Sequence, residues 1–239
     1  MEMEVVYKKN GNAIICGDCV EVMAKFPNNS IDLIVTSPPY WDKINYKTGC
    51  DKELGIGSLE DYLDSIYVIG KECFRVLKDD SCMVWIIKPI KRNGEIYHLG
   101  SKISERFVDL GFSHFDFKII LLLSLAHYDF CYFFSKGKVS RASKGVLFQP
   151  VWDTRKDNEK MGKEGKLYHP ASFKRCIPKE IILLYSSERS VVLDPMAGSG
   201  TTLIEAMENN RKFIGIDISR EYCEIARDRI LKCDNGSSV

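Results

Sequence analysis

The sequence predicts an α/β fold, a doubly wound and mostly parallel sheet carrying a small basic insert. Three observations predict it. Short apolar, β-branched runs stop abruptly at polar or proline-containing turns, as strands buried on both faces of a parallel sheet do. Segments of helical period lie between these runs. Late in the chain a strand, a glycine turn and a helix (residues 191–202) lead to another strand that ends in Asp217.

Taken in order, Ala13-Ile14-Ile15-Cys16 is the first strand and stops at Gly17-Asp18, before a short helix over residues 20–26. Residues 31–36 form the second strand and stop at Ser37-Pro38-Pro39. Residues 58–77 place Leu59, Tyr62, Leu63, Ile66, Ile69, Cys73 and Val76 at helical spacing, with Ser58 as N-cap. Residues 81–87 and 117–123 are further candidate strands. The most apolar run, 119–126, is far shorter than the ~20 residues that span a bilayer and reads as a buried strand. A helix over 177–185 has Pro178 at an early position. Strands at 191–193 and 212–216 alternate with helices at 201–210 and 220–231.

Two stretches break the alternation. Residues 41–57 are polar and contain glycine. Residues 130–168 are long, aperiodic and basic, and read as an insert within a single catalytic domain, 1–239. Between Cys131 and Lys179 there are 12 Lys plus Arg against 4 Asp plus Glu, a local charge of +8 in a chain whose net charge is +1. A nucleic-acid surface therefore has to come from local clustering. Its candidates are Lys136, Lys138, Arg141, Lys144, Arg155, Lys156 and Lys166, interleaved with Phe133, Phe134, Phe148 and Trp152.

At 239 residues, with 45% hydrophobic and 28% charged, the composition is that of an ordinary globular domain. The acidic start and the nine scattered cysteines fit a cytoplasmic protein with reduced thiols. Cys16-Gly17-Asp18-Cys19 has the spacing of half a metal or redox site, but no second CxxC and no paired histidines follow; it reads as a strand-end turn, and no metal is expected.

Two motifs carry the chemistry. In Asp194-Pro195-Met196-Ala197-Gly198-Ser199-Gly200-Thr201-Thr202 the glycines let a ligand lie on bare backbone at a helix start. Asp217, after the next strand, is placed to accept ribose hydroxyls. No Lys follows Gly200, so this is not a phosphate-cradling P-loop; a dinucleotide or an adenosylmethionine both remain open. In Thr36-Ser37-Pro38-Pro39-Tyr40 the prolines hold the backbone extended past a strand end. A fixed carbonyl and the Ser37 hydroxyl can accept both hydrogens of an amino group, and Tyr40 offers a face for a base taken out of a duplex.

In this order the two motifs resemble the amino-methylating DNA methyltransferases of the β class, a Rossmann-like fold with a circularly permuted motif order. The resemblance implies S-adenosyl-L-methionine as cofactor, duplex DNA as substrate and Ser37, Pro38, Pro39 and Tyr40 as the catalytic segment. It implies cofactor contacts from Asp18, Asp194, Pro195, Ala197, Gly198, Ser199, Gly200, Thr201 and Asp217. His169 and Phe173, in a His-Pro segment, would lie near the methionine end. Met196 departs from the family's usual aromatic, and Ser172-Phe173-Lys174 from its commoner Thr-x-Lys-Pro. Ser37 implies cytosine N4 as the acceptor, with adenine N6 as the alternative; RNA, a protein side chain, or an inactive binding domain are the remaining readings. A companion restriction endonuclease and the choice between monomer and homodimer stay open.

Overall fold

The computed structural model describes residues 3–41, 54–55, 57–121, 128–139, 151–154 and 174–234. Its strands are β1 (Glu4–Lys9), β2 (Asn12–Cys16), β3 (Ile31–Thr36), β4 (Leu77–Ile87), β5 (Ile90–Arg92), β6 (Glu95–Tyr97), β7 (Ser113–Leu121), β8 (Tyr128–Lys136), β9 (Val151–Asp153), β10 (Val191–Asp194) and β11 (Lys212–Asp217). Its helices are α1 (Cys19–Met23), α2 (Leu59–Val76), α3 (Leu99–Asp109), α4 (Cys176–Tyr185), α5 (Thr201–Glu208) and α6 (Arg220–Asp234).

Nine strands form one sheet in the order β1-β2-β11-β10-β3-β4-β8-β7-β9, and β5 and β6 form a separate hairpin. From β2 to β4 every pairing is parallel. β1, β8 and β7 pair antiparallel with their inner neighbours, and β9 runs parallel to β7. This is the mostly parallel, doubly wound sheet expected from the sequence.

Alternation within each strand divides the core between the two faces. On β3, Leu33 and Val35 pack with α4, α5 and α6 through Ile181, Leu203 and Ala226. Ile34, between them, packs on the other face with α1, α2 and α3 through Met23, Ile66 and Phe107. The helix α2 starts as its sequence predicts. Ser58 caps it by accepting from Asp61 N, while Asp61 accepts from the Ser58 backbone, a reciprocal capping box.

The region taken for an insert begins later than residue 130. β8 pairs with β4 from Ile87↔Phe130 to Ser81↔Lys136, and Phe133 and Phe134 are wholly buried. β9 continues the sheet, with Trp152 also buried. These aromatics are core, not a nucleic-acid surface. The remainder of the expected insert, 140–150 and 155–168, lies outside the described residues.

Successive parallel strands end together. Cys16 of β2 pairs with Asp217 of β11, and β10 lies between β11 and β3. From β10 the chain winds outward to β11, and from β3 it winds the other way to β4. That reversal opens a crevice at the carboxyl ends, where open α/β sheets bind ligands.

Gly70 tests the packing of α2 on α3. A Cβ there would lie 2.3 Å from the Phe107 ring, itself wedged between Trp85 and Phe134 at 5.1 Å. Gly70→Ala should therefore destabilise the fold by about 1–3 kcal/mol, although alanine favours helix by ~1 kcal/mol. The urea-unfolding midpoint checks this, and a rise would contradict it.

Candidate active site

Thr36 closes β3 with its side chain buried. Its hydroxyl donates to Asp194 Oδ1 at 2.8 Å, joining the end of β3 to the end of β10. The Met196 N–H donates to the same oxygen at 3.2 Å. Asp194, expected to touch the cofactor, is 1% exposed and forms an internal joint between the two motifs. Burial pushes its carboxyl up to about 6, against the Thr36 hydroxyl and the Met196 N–H, which favour the charged form.

Beyond Thr36, Ser37 is half-buried and Pro38 buried. The buried Tyr62 hydroxyl, on α2, donates to the Pro39 carbonyl at 3.1 Å, so the loop's path is set from outside itself. Tyr40 is buried, with the Lys88 ammonium 4.5 Å from its ring centroid. Lys88 follows β4 at this same edge, beside Asp129 just before the first β4–β8 pair. Burial raises the Asp129 carboxyl and the Lys88 charge opposes the rise. The Trp41 indole N–H donates to the Gly57 carbonyl at 3.1 Å.

The glycine turn is built next to this loop. Gly198 and Gly200 have φ of 50° and 80°, which glycine adopts without strain. A Cβ on Gly200 would lie 2.8 Å from Ala226 Cβ, so its absence lets α6 close on the turn. Arg229, also on α6, donates to the Ser199 carbonyl at 2.5 Å and to its hydroxyl at 3.1 Å. Pro195, Ala197, Ser199 and Thr201 are buried within the same turn.

Asp217 organises the adjoining turns. Its carboxylate accepts from Gly198 N and Ser219 N, both at 2.8 Å, and its carbonyl accepts from Gly17 N at 2.9 Å. Burial pushes its carboxyl up to about 6, and those two N–H groups hold it there against a larger rise. Asp18 lies in the neighbouring turn and N-caps α1, accepting from Val20 N and Glu21 N. Asp18, the 195–201 turn and Asp217 therefore gather at one place, next to the Ser37–Tyr40 segment.

Other expected residues lie elsewhere. Lys136 and Lys138 stand at the amino edge of β4, because β8 runs antiparallel to it and pairs Lys136 with Ser81. Lys136 is committed there to Asn29, to the Leu77 carbonyl and to Asp79. Those two lysines do not share an edge with the Ser37 loop. His169, Phe173, Arg141, Lys144 and Arg155 lie outside the described residues. The Cys16–Cys19 pair is reduced; burial raises the Cys19 thiol to about 12. Among the described residues no cluster of His, Cys, Asp and Glu could hold a metal, and no helix is long and apolar enough to cross a membrane.

Tyr62, Lys88 and Arg229 escaped the sequence reading. Tyr62 reads as one more apolar position of α2. The other two act across the fold, and no local pattern marks them.

The mostly parallel sheet sets the Ser37–Tyr40 loop against the 195–201 glycine turn, the arrangement expected of an amino-directed DNA methyltransferase. The chain matches the N6/N4 DNA methylase family over residues 31–228 and belongs to that family. It is 29% identical to the orphan methyltransferase M.BamHII of Bacillus amyloliquefaciens, over 84% of this chain and 89% of that protein. It superposes on TTHA0409 of Thermus thermophilus, complexed with S-adenosyl-L-methionine, at a TM-score of 0.72 and 25% identity, covering 91% of this chain and 93% of that one. The fold is also that of the cytosine-N4-specific PvuII DNA methyltransferase, at a TM-score of 0.80 and 21% identity, covering 95% and 88% of the two chains.

The joint between the motifs is testable by itself. Thr36→Val leaves the buried Asp194 carboxyl without its hydroxyl donor at nearly constant volume, and should cost about 1–3 kcal/mol. Urea unfolding of the variant measures this; an unchanged midpoint would show that the joint contributes nothing.

Proposed function

We propose that this enzyme transfers a methyl group from S-adenosyl-L-methionine to the exocyclic N4 of cytosine in duplex DNA, acting on a base rotated out of the helix. The Thr36–Asp194 bond carries the reading, because it sets the amine-accepting loop against the glycine turn. Ser37 supports cytosine over adenine through the resemblance, which associates Ser-Pro-Pro-Tyr with cytosine N4 and Asp- or Asn-Pro-Pro-Tyr with adenine N6, although Ser-Pro-Pro-Tyr also occurs in some adenine-directed members.

The residues present fit the cofactor. The glycine turn leads into the start of α5, and the half-buried Asp217 stands at a strand end, where a ribose would lie. Asp18 lies in the adjacent turn for the adenine. When bound, the cofactor supplies an electrophilic methyl on a sulfonium sulfur.

The chain's own residues prepare the acceptor. An amino group conjugated to a base ring is a poor nucleophile, because its lone pair is delocalised. The Ser37 hydroxyl and a loop carbonyl accept its two hydrogens and draw the nitrogen towards tetrahedral geometry. Tyr62, by holding the Pro39 carbonyl, fixes the direction of the loop and so removes reorganisation from the reacting step. Tyr40 supplies the stacking face. Its ring is buried under the Lys88 ammonium, so a base reaches it only once that face is uncovered.

Labelled methyl transfer to duplex DNA, with RNA and protein controls, tests the reading, and chromatography of the digested product identifies the base. N4-methylcytosine is expected. N6-methyladenine would move the acceptor to adenine within the same site, and no label in DNA would overturn the reading. Ser37→Ala should slow single-turnover transfer by about 10²–10³-fold while cofactor affinity stays nearly unchanged. Loss of both together would make Ser37 a folding residue.

Ionised Asp217 accepts ribose hydroxyls better than its acid form does. With its carboxyl raised to about 6, it is protonated below that pH and charged above it. Calorimetric affinity for the cofactor should therefore rise as pH increases through about 6 and level off towards neutrality. An affinity that is flat from acid to neutral pH would remove Asp217 from the site.

A further inference from the structure

The β5–β6 hairpin stands at the mouth of the site, and the chemistry above gives it no role. It follows directly on β4, whose end pairs with the end of β3 at Thr36↔Trp85. Asn93 and Gly94 join its strands with φ of 51° and 84°, the combination of a tight type I′ turn. Its register pairs Ile90 with Tyr97, Lys91 with Ile96 and Arg92 with Glu95. Paired residues share a face, so the hairpin presents two different surfaces.

The inner surface grips the catalytic segment. Ile90 is buried, the Arg92 guanidinium lies 4.6 Å from the Trp41 ring, and the Tyr97 ring meets Trp41 edge-on at 5.4 Å. Trp41 directly follows Tyr40. The outer surface pairs the exposed Lys91 with Ile96, which at 60% is the most exposed large apolar side chain among the described residues. The tip is open, since a Cβ on Gly94 would meet nothing within 4 Å. Among the described residues, Lys91 is the one charge on this outer face, since Arg92 and its partner Glu95 lie on the inner face and Lys88 sits over Tyr40.

We propose that this hairpin is a duplex-contacting element of the enzyme. Lys91 pairs with a backbone phosphate beside the target nucleotide, and Ile96 packs on the apolar sugar and base surface bared when the target base leaves the stack. A phosphate complements the exposed Lys91 ammonium, and a rigid strand pair costs little entropy to order on binding. Because the inner face holds Trp41, contact on the outer face is mechanically continuous with Tyr40. The proposal rests on the DNA-methylating reading.

Lys91→Gln, Lys91→Arg and Ile96→Ser, made in the full chain, test it. Each changes an outward side chain outside the catalytic and cofactor-holding residues. Duplex affinity is read by anisotropy across a salt series, alongside cofactor affinity and single-turnover transfer. Lys91→Gln should weaken duplex binding and lower the slope of log K against log salt by about 1, with Lys91→Arg restoring it. Ile96→Ser should raise the KM for DNA several-fold at an unchanged salt slope, and cofactor affinity should not move in any variant. Wild-type affinity, slope and KM in both Lys91→Gln and Ile96→Ser, in an enzyme that methylates DNA, would overturn the hairpin proposal alone. A wild-type enzyme that never methylates DNA would overturn the underlying reading and this proposal with it.

Discussion

The hydrogen bond from the Thr36 hydroxyl to the Asp194 carboxyl joins two segments 158 positions apart in the chain. A reaction between an amine and a methyl donor needs both held at contact distance, and most of the gain comes from positioning. Here the positioning is not left to the loops. Each loop leaves the end of a central parallel strand, the strands are neighbours in the sheet, and one buried bond ties their last residues together. Tyr62 and Arg229 then brace the two loops from helices on opposite faces of the sheet.

This arrangement opposes folding. Asp194 and Asp217 are both held with carboxyls raised to about 6 from an ordinary value of 3.8, mainly by removal from water. A raised carboxyl favours the protonated folded form. The stability these groups contribute is therefore fully present below about pH 4 and is lost as pH rises through about 6. Near neutrality both are ionised, which is the form the site's hydrogen bonds use. The wide, aromatic-rich core around Phe107, Phe134 and Trp85 offsets that cost.

The parallel half of the fold was legible because burial on both faces leaves nearly continuous apolar runs. β3 and β11 start at their predicted residues, and Ser58 caps α2 as expected. The antiparallel half was legible only in part: residues 117–123 read as a strand and overlap β7, while β8 was missed. β8 reads Tyr-Asp-Phe-Cys-Tyr-Phe-Phe-Ser-Lys, with no clean alternation and a charge at each end, so it passed for part of a basic insert. Its aromatics, Phe134 buried against Phe107 of α3 and Phe133 against Tyr185 of α4 on the other face, are what make it core. α3 shows its helical stripe only through Leu99, Ile103 and Phe107, separated by polar residues. Within the site, the sequence named the segments that the fold brings together, Ser37–Tyr40, the 195–201 turn, Asp18 and Asp217, but not how they are joined. That Asp194 serves as a joint, and that Lys136 points away from the reaction, follow from strand order and direction, which no single motif encodes.

A ternary structure of the enzyme with the duplex it methylates and the demethylated cofactor product tests the central claim most directly. The account predicts the target base outside the helix, its ring on Tyr40, its amino nitrogen within hydrogen-bond distance of the Ser37 hydroxyl and a carbonyl of the Pro38–Pro39 segment, and the cofactor product against Gly198 and Asp217. A target base still stacked in the duplex, or one bound away from Ser37, would contradict it.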